Sequence, residues 1–347
     1  MMANSGGSMA VVTKARAMYG KRLSRDDYAE LLSKRTVADI AAYLKETPRY
    51  QKIFADVSSE RFHRAQFESI LRRALYETYV RLMRYEEEPD EGFHRYLQVR
   101  SDIEEILDQI MFLNAGETEK LIVELPGYLI EHAGINMIAL AKANNFDELL
   151  SALAGTPYVK LLQPFHTEKG GAVNYRGCEV ALYTYYYATM IESVERRFWG
   201  KTRKELLASI RTRIDLDNMV TVFRLKQYFD APPEEIRAVL LPFHGELTPK
   251  RLEPMIVAKD QEALLKALHA TPFGKEFEDV QPNRLEIAAR RMLAKHFHRS
   301  LRNSIDAAQS LYAFLSLSEM ELDNVIHIVE GAHYRVPKAE IEELLIM

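Results

Sequence analysis

DIAAYLKETPRYQKIF (Asp39–Phe54) is written three times in this chain. It returns as DELLSALAGTPYVKLLQPF (Asp147–Phe165) and as EALLKALHATPFGKEF (Glu262–Phe277). Each version places a Leu four residues before a Pro (Leu44/Pro48, Leu153/Pro157, Leu268/Pro272) and a Thr directly before that Pro (Thr47, Thr156, Thr271). An aromatic follows within two residues (Tyr50, Tyr158, Phe273). The prolines lie 109 and 115 residues apart in a chain of 347, so three copies fill the length.

The unit reads as a helical corner. Ile40/Leu44, Leu149/Leu153 and Leu264/Leu268 repeat at i, i+4, which puts them on one helical face. Proline disfavours helical geometry in the residue before it, so the first helix must stop at the Thr. A Thr N-cap followed by Pro at the first helical position then predicts the start of a second helix.

Outward from these corners the helical period persists. Val11–Met18 and Asp26–Leu32 read as helices, followed by long amphipathic helices over Ser59–Tyr85, Glu179–Trp199 and Leu285–Leu317. The stripe Phe67, Leu71, Leu75, Tyr79, Leu82 marks the first of them, ended by EEEPDE (Glu86–Glu91). In the second copy Glu117–Leu125 and Leu129–Ala143 read as helical, and Leu125-Pro126 matches Leu241-Pro242 of the third. Tyr183, Tyr185, Tyr186 and Tyr187 cover every face of their helix, as a buried or interfacial helix would.

A second signature closes each copy, at the head of segments read as Val99–Leu113 and Asp215–Phe229. Asp102-Ile103-Glu104-Glu105-Ile106, Asp215-Leu216-Asp217-Asn218-Met219 and Glu321-Leu322-Asp323-Asn324-Val325 share an order of acid, aliphatic, acid, polar, apolar, 113 and 106 residues apart. Two landmarks with one period predict an all-α protein of three similar helical domains in tandem, 11–115, 116–230 and 231–347, about a pseudo-threefold axis. The period exceeds that of solenoid repeats. Residues 1–10 read as a disordered leader without the basic and apolar regions of a signal peptide.

Composition excludes several classes. At 47% hydrophobic and 28% charged the chain has ample core material. Its net charge of −4 gives no global basic footprint for nucleic acid. A single Cys178 rules out an internal disulfide and suits a reducing compartment. No apolar run is long enough to span a bilayer. These points predict a cytoplasmic chain.

Chemical motifs are weak. Gly200-Lys201-Thr202 lacks the upstream Gly of a phosphate loop, Glu195 standing there, and follows a helix instead of a strand; a helix stop explains it better. His296 and His298 point about 200° apart on a helix, which does not suit one metal ion. No Ser-His-Asp or Cys-His arrangement is present, so no catalytic residue, metal or cofactor is expected. The closing acids read as helix starts meeting the helix dipole, with a partner-facing acidic surface as the second reading.

Three segments carry a resemblance: KARAMYGKRLSRDDYAELL (Lys14–Leu32), DLDNMVTVFRLKQYFDAPPEEIRAVLLPFHGEL (Asp215–Leu247) and ELDNVIHIVEGAHYRVPKAEIEELLIM (Glu321–Met347). They resemble the C-subunit family (the d subunit in eukaryotes) of V-type and A-type rotary ATPases, over essentially the whole chain after the leader. Glu105 and Met111 depart from the pattern where the second copy has Asn218 and Arg224. The resemblance implies a non-catalytic funnel on the cytoplasmic face of the membrane proteolipid rotor ring, receiving the central-stalk subunits D and F. The acidic helix starts of the three copies are predicted to face a common axis and contact the stalk, which makes Asp102, Glu104, Asp215, Asp217, Asn218, Arg224, Glu321, Asp323 and Asn324 the candidate partner-binding residues. A helical scaffold for another protein partner, without a rotary role, is the alternative.

Overall fold

The computed structural model describes residues 5–55, 64–83, 95–116, 133–166 and 171–347, and every regular element among them is helical. The EEEPDE stop, the Glu117–Leu125 helix and Leu125-Pro126 lie outside the described residues. So do the first residues of the helix expected from Ser59.

Two compact bodies divide the chain, residues 1–89 with 276–347, and residues 90–275. In the first, helix α1 (Ser5–Tyr19) begins inside the stretch read as a leader. It is followed by α2 (Arg25–Leu31), α3 (Val37–Glu46) and α4 (Arg64–Met83). The body is completed from the other end of the sequence by α14 (Leu285–Asn303), α15 (Ala307–Tyr334) and α16 (Lys338–Leu344). Helix α15 is its axis, packed by α1, α3, α4, α14 and α16. From Ala307 to Ser318 it is buried without a break, the mark of a helix surrounded on all sides. Leu322, Val325 and Ile328 of α15 meet Leu31, Ile40, Leu44 and Phe67 in one core. Each fully buried Leu or Ile there contributes about 1.5–3 kcal/mol.

The second body holds α5 (Tyr96–Ala115), α6 (Met137–Ala141), α7 (Phe146–Ala152), α8 (Tyr158–Leu162), α9 (Tyr175–Arg197) and α10 (Gly200–Phe229). It ends with α11 (Pro233–Ala238), α12 (Pro249–Ile256) and α13 (Gln261–His269). Helix α5 packs on α6 and α9, and α10 packs on α9, α11, α12 and α13. Tyr186 and Tyr187 are buried while Tyr183 and Tyr185 are half-buried, so the tyrosine helix contributes mainly to core.

The Thr-Pro corners keep their place but reverse the expected role of the Thr. Each hydroxyl donates backward to the Leu carbonyl three residues earlier, Thr47 to Leu44 at 2.8 Å, Thr156 to Leu153 and Thr271 to Leu268 both at 2.7 Å. Each Thr amide donates to the same carbonyl, at 3.0, 3.1 and 3.0 Å. The Thr therefore closes the helix behind it. Proline ahead leaves terminal carbonyls unpaired, and a hydroxyl at that position satisfies one.

Two other expectations change. The helix read as Leu285–Leu317 is two helices, broken at Ser304-Ile305-Asp306, where Asp306 caps α15 by accepting the Gln309 amide at 3.0 Å. The apolar period runs through this break, which hides it in the sequence. The closing segments are also not helix starts: α10 begins fifteen residues before Asp215, and α15 fourteen before Glu321.

The closing helices share an ending. Gly116 (φ 71°), Asp230 (φ 44°) and Arg335 (φ 57°) stop α5, α10 and α15 in the left-handed region. After the last two the chain doubles back through Pro232-Pro233 into α11 and through Pro337 into α16. Ile236 and Ile341 bury themselves at equivalent positions, 105 residues apart. Segment 336–347 thus echoes residues 231–242, a short helix with one buried isoleucine after a left-handed stop. Gly331 makes room for it: a Cβ there would stand 2.1 Å from Ile341 Cδ1.

Candidate functional site: three buried acids on the closing helices

Asp102, Asp215 and Glu321 lead the repeated signature, and all three are buried inside their helices, not set at a dipole. A carboxylate in a core needs donors, and each finds them on backbone well separated in sequence. Asp102 Oδ1 accepts the Gly134 amide at 3.0 Å. Asp215 accepts Gly245 at Oδ1 and Leu247 at Oδ2, both at 2.9 Å. Glu321 Oε2 accepts Leu23, at the start of the chain, at 3.1 Å.

Side-chain length explains the partner types. Aspartate is short, so the backbone it holds must come close. A Cβ on Gly134 would lie 2.5 Å from Asp102 Oδ2, and one on Gly245 3.1 Å from Asp215 Oδ2. Glutamate reaches one methylene further, and Glu321 holds the Leu23 amide without a glycine in contact. The corner aromatics complete the pattern. Tyr50 donates its hydroxyl to Glu321 Oε1 at 2.8 Å, and Tyr158 donates to Asp102 Oδ2 at 3.4 Å. Phe273 has no hydroxyl, and Asp215 takes its second backbone amide instead.

The three sites differ in charge. Glu321 is neutralised by Arg49, whose Nε lies 2.6 Å from Oε1. Asp102 has no such partner among the described residues: burial pushes its carboxyl up to about 6, against the opposing pull of the Gly134 amide, Tyr158 and the Arg95 charge. Burial also raises Asp215, opposed by the Gly245, Leu247 and Glu246 amides and by His244.

Three residues on, the amides tie a second strand of backbone. Asn218 donates to the Leu241 carbonyl at 3.0 Å and accepts the Leu241 amide at 2.9 Å. Asn324 repeats this on Ile346, at 2.7 and 2.9 Å, and donates also to the Tyr28 hydroxyl. Glu105 stands at the matching place in α5, where a carboxylate has no N–H to give a carbonyl.

The remaining candidates lie on outer faces. Glu104 pairs with Arg100 of its own helix at 2.9 Å, Asp217 accepts the Tyr187 hydroxyl at 3.4 Å, and Asp323 pairs with Arg290. Asp217 and Arg224 are both exposed, seven residues apart on one face of α10. The signature therefore divides in two: Asp102, Asp215, Asn218, Glu321 and Asn324 hold the fold together, and Glu104, Asp217, Asp323 and Arg224 are within reach of solvent. Sequence reasoning singles out Tyr50, Tyr158 and Leu241 but pairs none of them with the signature, and it gives no role to Arg49, Gly134 or Gly245. The 105-residue echo of Pro232…Leu241 in Pro337…Ile346 is the signal that could have found part of the pairing.

Other chemistry is thin among the described residues. No group of three His, Cys, Asp or Glu could hold a metal ion. Cys178 is buried, and burial pushes its thiol up to about 12, far from a nucleophile's range. No helix is long and apolar enough to cross a membrane.

An all-helical chain whose recurring acids and amides are buried against distant backbone is the class that fold and site define. Over residues 11–344 it matches the family described as the ATP synthase (C/AC39) subunit, and it belongs to that family. Among curated proteins it is similar to the A-type ATP synthase C subunit of Archaeoglobus fulgidus, 24% identical over 97% of this chain and 95% of that one. It is also similar to the A-type ATP synthase C subunits of Desulfurococcus and Thermococcus kodakarensis. Each is 27% identical over 77% of this chain and 69% of the relative.

Proposed function

We propose that this chain is a non-catalytic central-stalk subunit of a V/A-type ATPase, peripheral to the cytoplasmic membrane face, which links the D–F shaft to the proteolipid ring and transmits torque. The observation that carries the reading is family membership over residues 11–344 in a chain whose sequence is triplicated. Three diverged helical copies about a pseudo-threefold axis would form a funnel, and divergence would give a shaft one best register out of three. The site chemistry agrees with a mechanical role. Its carboxylates are closed by backbone amides, an arrangement that stiffens joints between helices and leaves no acid–base pair open to a substrate.

Within this reading the solvent-reachable members of the signature, Glu104, Asp217, Asp323 and Arg224, are the residues that meet the stalk. Charge reversal at Asp217 and Arg224, which leaves the buried ties alone, should weaken capture of a purified D–F complex about tenfold or more and alter its salt dependence. Unchanged binding in a variant with a wild-type melting curve would remove these residues from the interface. Failure of the wild-type chain itself to bind a D–F complex or a ring would remove the stalk role.

A further inference from the structure

The turn between α9 and α10 carries a surface that the stalk role does not use. Trp199 is the chain's single tryptophan, and it is 78% exposed, more than any other large apolar side chain described. It stands in extended backbone between Arg197, the last residue of α9, and Gly200, whose φ of 59° turns the chain into α10. Around it the sequence RRFWGKTRK (Arg196–Lys204) holds five basic residues and no acid, in a chain whose net charge is −4. Arg196, Lys201, Arg203 and Lys204 are exposed. Of the nearest acids, Glu195 pairs with Arg211 outside the cluster, and Glu205 takes up Lys201 of the cluster itself. Helix α10 adds its own dipole: its first turn has no acidic residue, and no side chain caps it.

We propose that this turn is a membrane-surface anchor, in which Trp199 enters the headgroup layer of an anionic bilayer and the surrounding cations meet lipid phosphates. The indole has an apolar body and a polar N–H, which suits the boundary between acyl chains and water. Basic residues beside such a ring are drawn to the negative potential of anionic lipid. An acidic protein would meet the same charges. However, a protein hot spot sits among other apolar contacts that exclude water, whereas Trp199 is flanked mainly by cations. The equivalent turn of the third copy also exposes an apolar residue, Ile305 at 75%, but beside Asp306 and without the cationic cluster. The anchor is therefore a property of the second copy. It stands apart from the stalk reading, because its test needs only the full chain and vesicles.

The lone tryptophan reports on its own site. Titrating the full-length protein with vesicles of pure phosphatidylglycerol should blue-shift its emission, and added salt should reverse the shift. Vesicles of pure phosphatidylcholine and free inorganic phosphate should leave it unchanged. Co-sedimentation with the anionic vesicles should fall about tenfold or more in the triple variant Lys201→Glu, Arg203→Glu, Lys204→Glu, and fall in Trp199→Ser, with circular dichroism unchanged in both. An unshifted emission at low salt, an equal response to neutral vesicles, or a shift produced by phosphate alone would overturn the proposal. So would a triple variant that loses assembly with purified partner subunits while binding vesicles normally, which would assign the turn to a protein.

Discussion

Asp102 shows at the scale of one residue how a carboxylate can be both structural and costly. Its oxygens are satisfied by the Gly134 amide and the Tyr158 hydroxyl, but among the described residues no cation is paired with it as Arg49 is with Glu321. It therefore titrates near 6 in the folded chain, against an ordinary value of 3.8. Between those two values the folded chain keeps a proton that the unfolded chain has released. The stability belonging to the protonated form is full below about pH 4 and is lost as pH rises through 6. That difference corresponds to roughly 3 kcal/mol. Asp102→Asn keeps an oxygen for Gly134 and removes the titration. Its thermal midpoint should exceed the wild type's above pH 6, and the gap should close towards pH 4. Two midpoint-against-pH curves that run parallel would show that Asp102 does not set the slope.

At the scale of the element, the corners and the period are readable because they depend on neighbours. Leu44, Thr47 and Pro48 meet within one turn, so their spacing is itself the signal. The closing acids mislead for the same reason. Asp215-Leu216-Asp217-Asn218 looks like a helix start when only its neighbours are seen. Its partners are Leu241, Gly245 and Leu247, and those of Glu321 lie 298 and 271 residues away at Leu23 and Tyr50. No local pattern carries that information.

Segment 336–347 is the element where this matters most, because it gives α15 the buried Ile341 and the Ile346 backbone, as Ile236 and the Leu241 backbone serve α10. Asn324→Asp removes the N–H that the Ile346 carbonyl accepts and adds a charge one turn from Glu321. It should cost about 2–3 kcal/mol. Removing Leu345–Met347 takes away both the buried Leu345 and the Ile346 backbone, and should cost at least as much. Urea denaturation midpoints measure both. A truncation with no loss would mean that the segment rests on α15 without supporting it.

At the scale of the whole molecule the ties predict which pieces of chain can fold alone. Residues 90–275 contain both partners of the Asp102 and Asp215 ties and of the Asn218 tie, so every one of these buried polar groups is satisfied within that stretch. The body made of residues 1–89 and 276–347 is different. Arg16 donates to the carbonyls of Leu301, Arg302 and Ser304, closing α14 from the far end of the sequence. Arg49, Tyr50 and Leu23 close Glu321, and Tyr28 meets Asn324. Each half exposes core and leaves buried polar groups unpaired without the other, and such groups cost about 1–3 kcal/mol apiece. Residues 90–275 expressed alone should therefore be helical and melt cooperatively. Residues 1–89 and 276–347 should each lack a cooperative melt and regain one when mixed, with a midpoint that rises with concentration, as association linked to folding requires. Calorimetry on the three fragments and the mixture decides it. A cooperative melt from residues 1–89 alone would show that α2, α3 and α4 carry their own core and that α15 is docked onto it, not built into it.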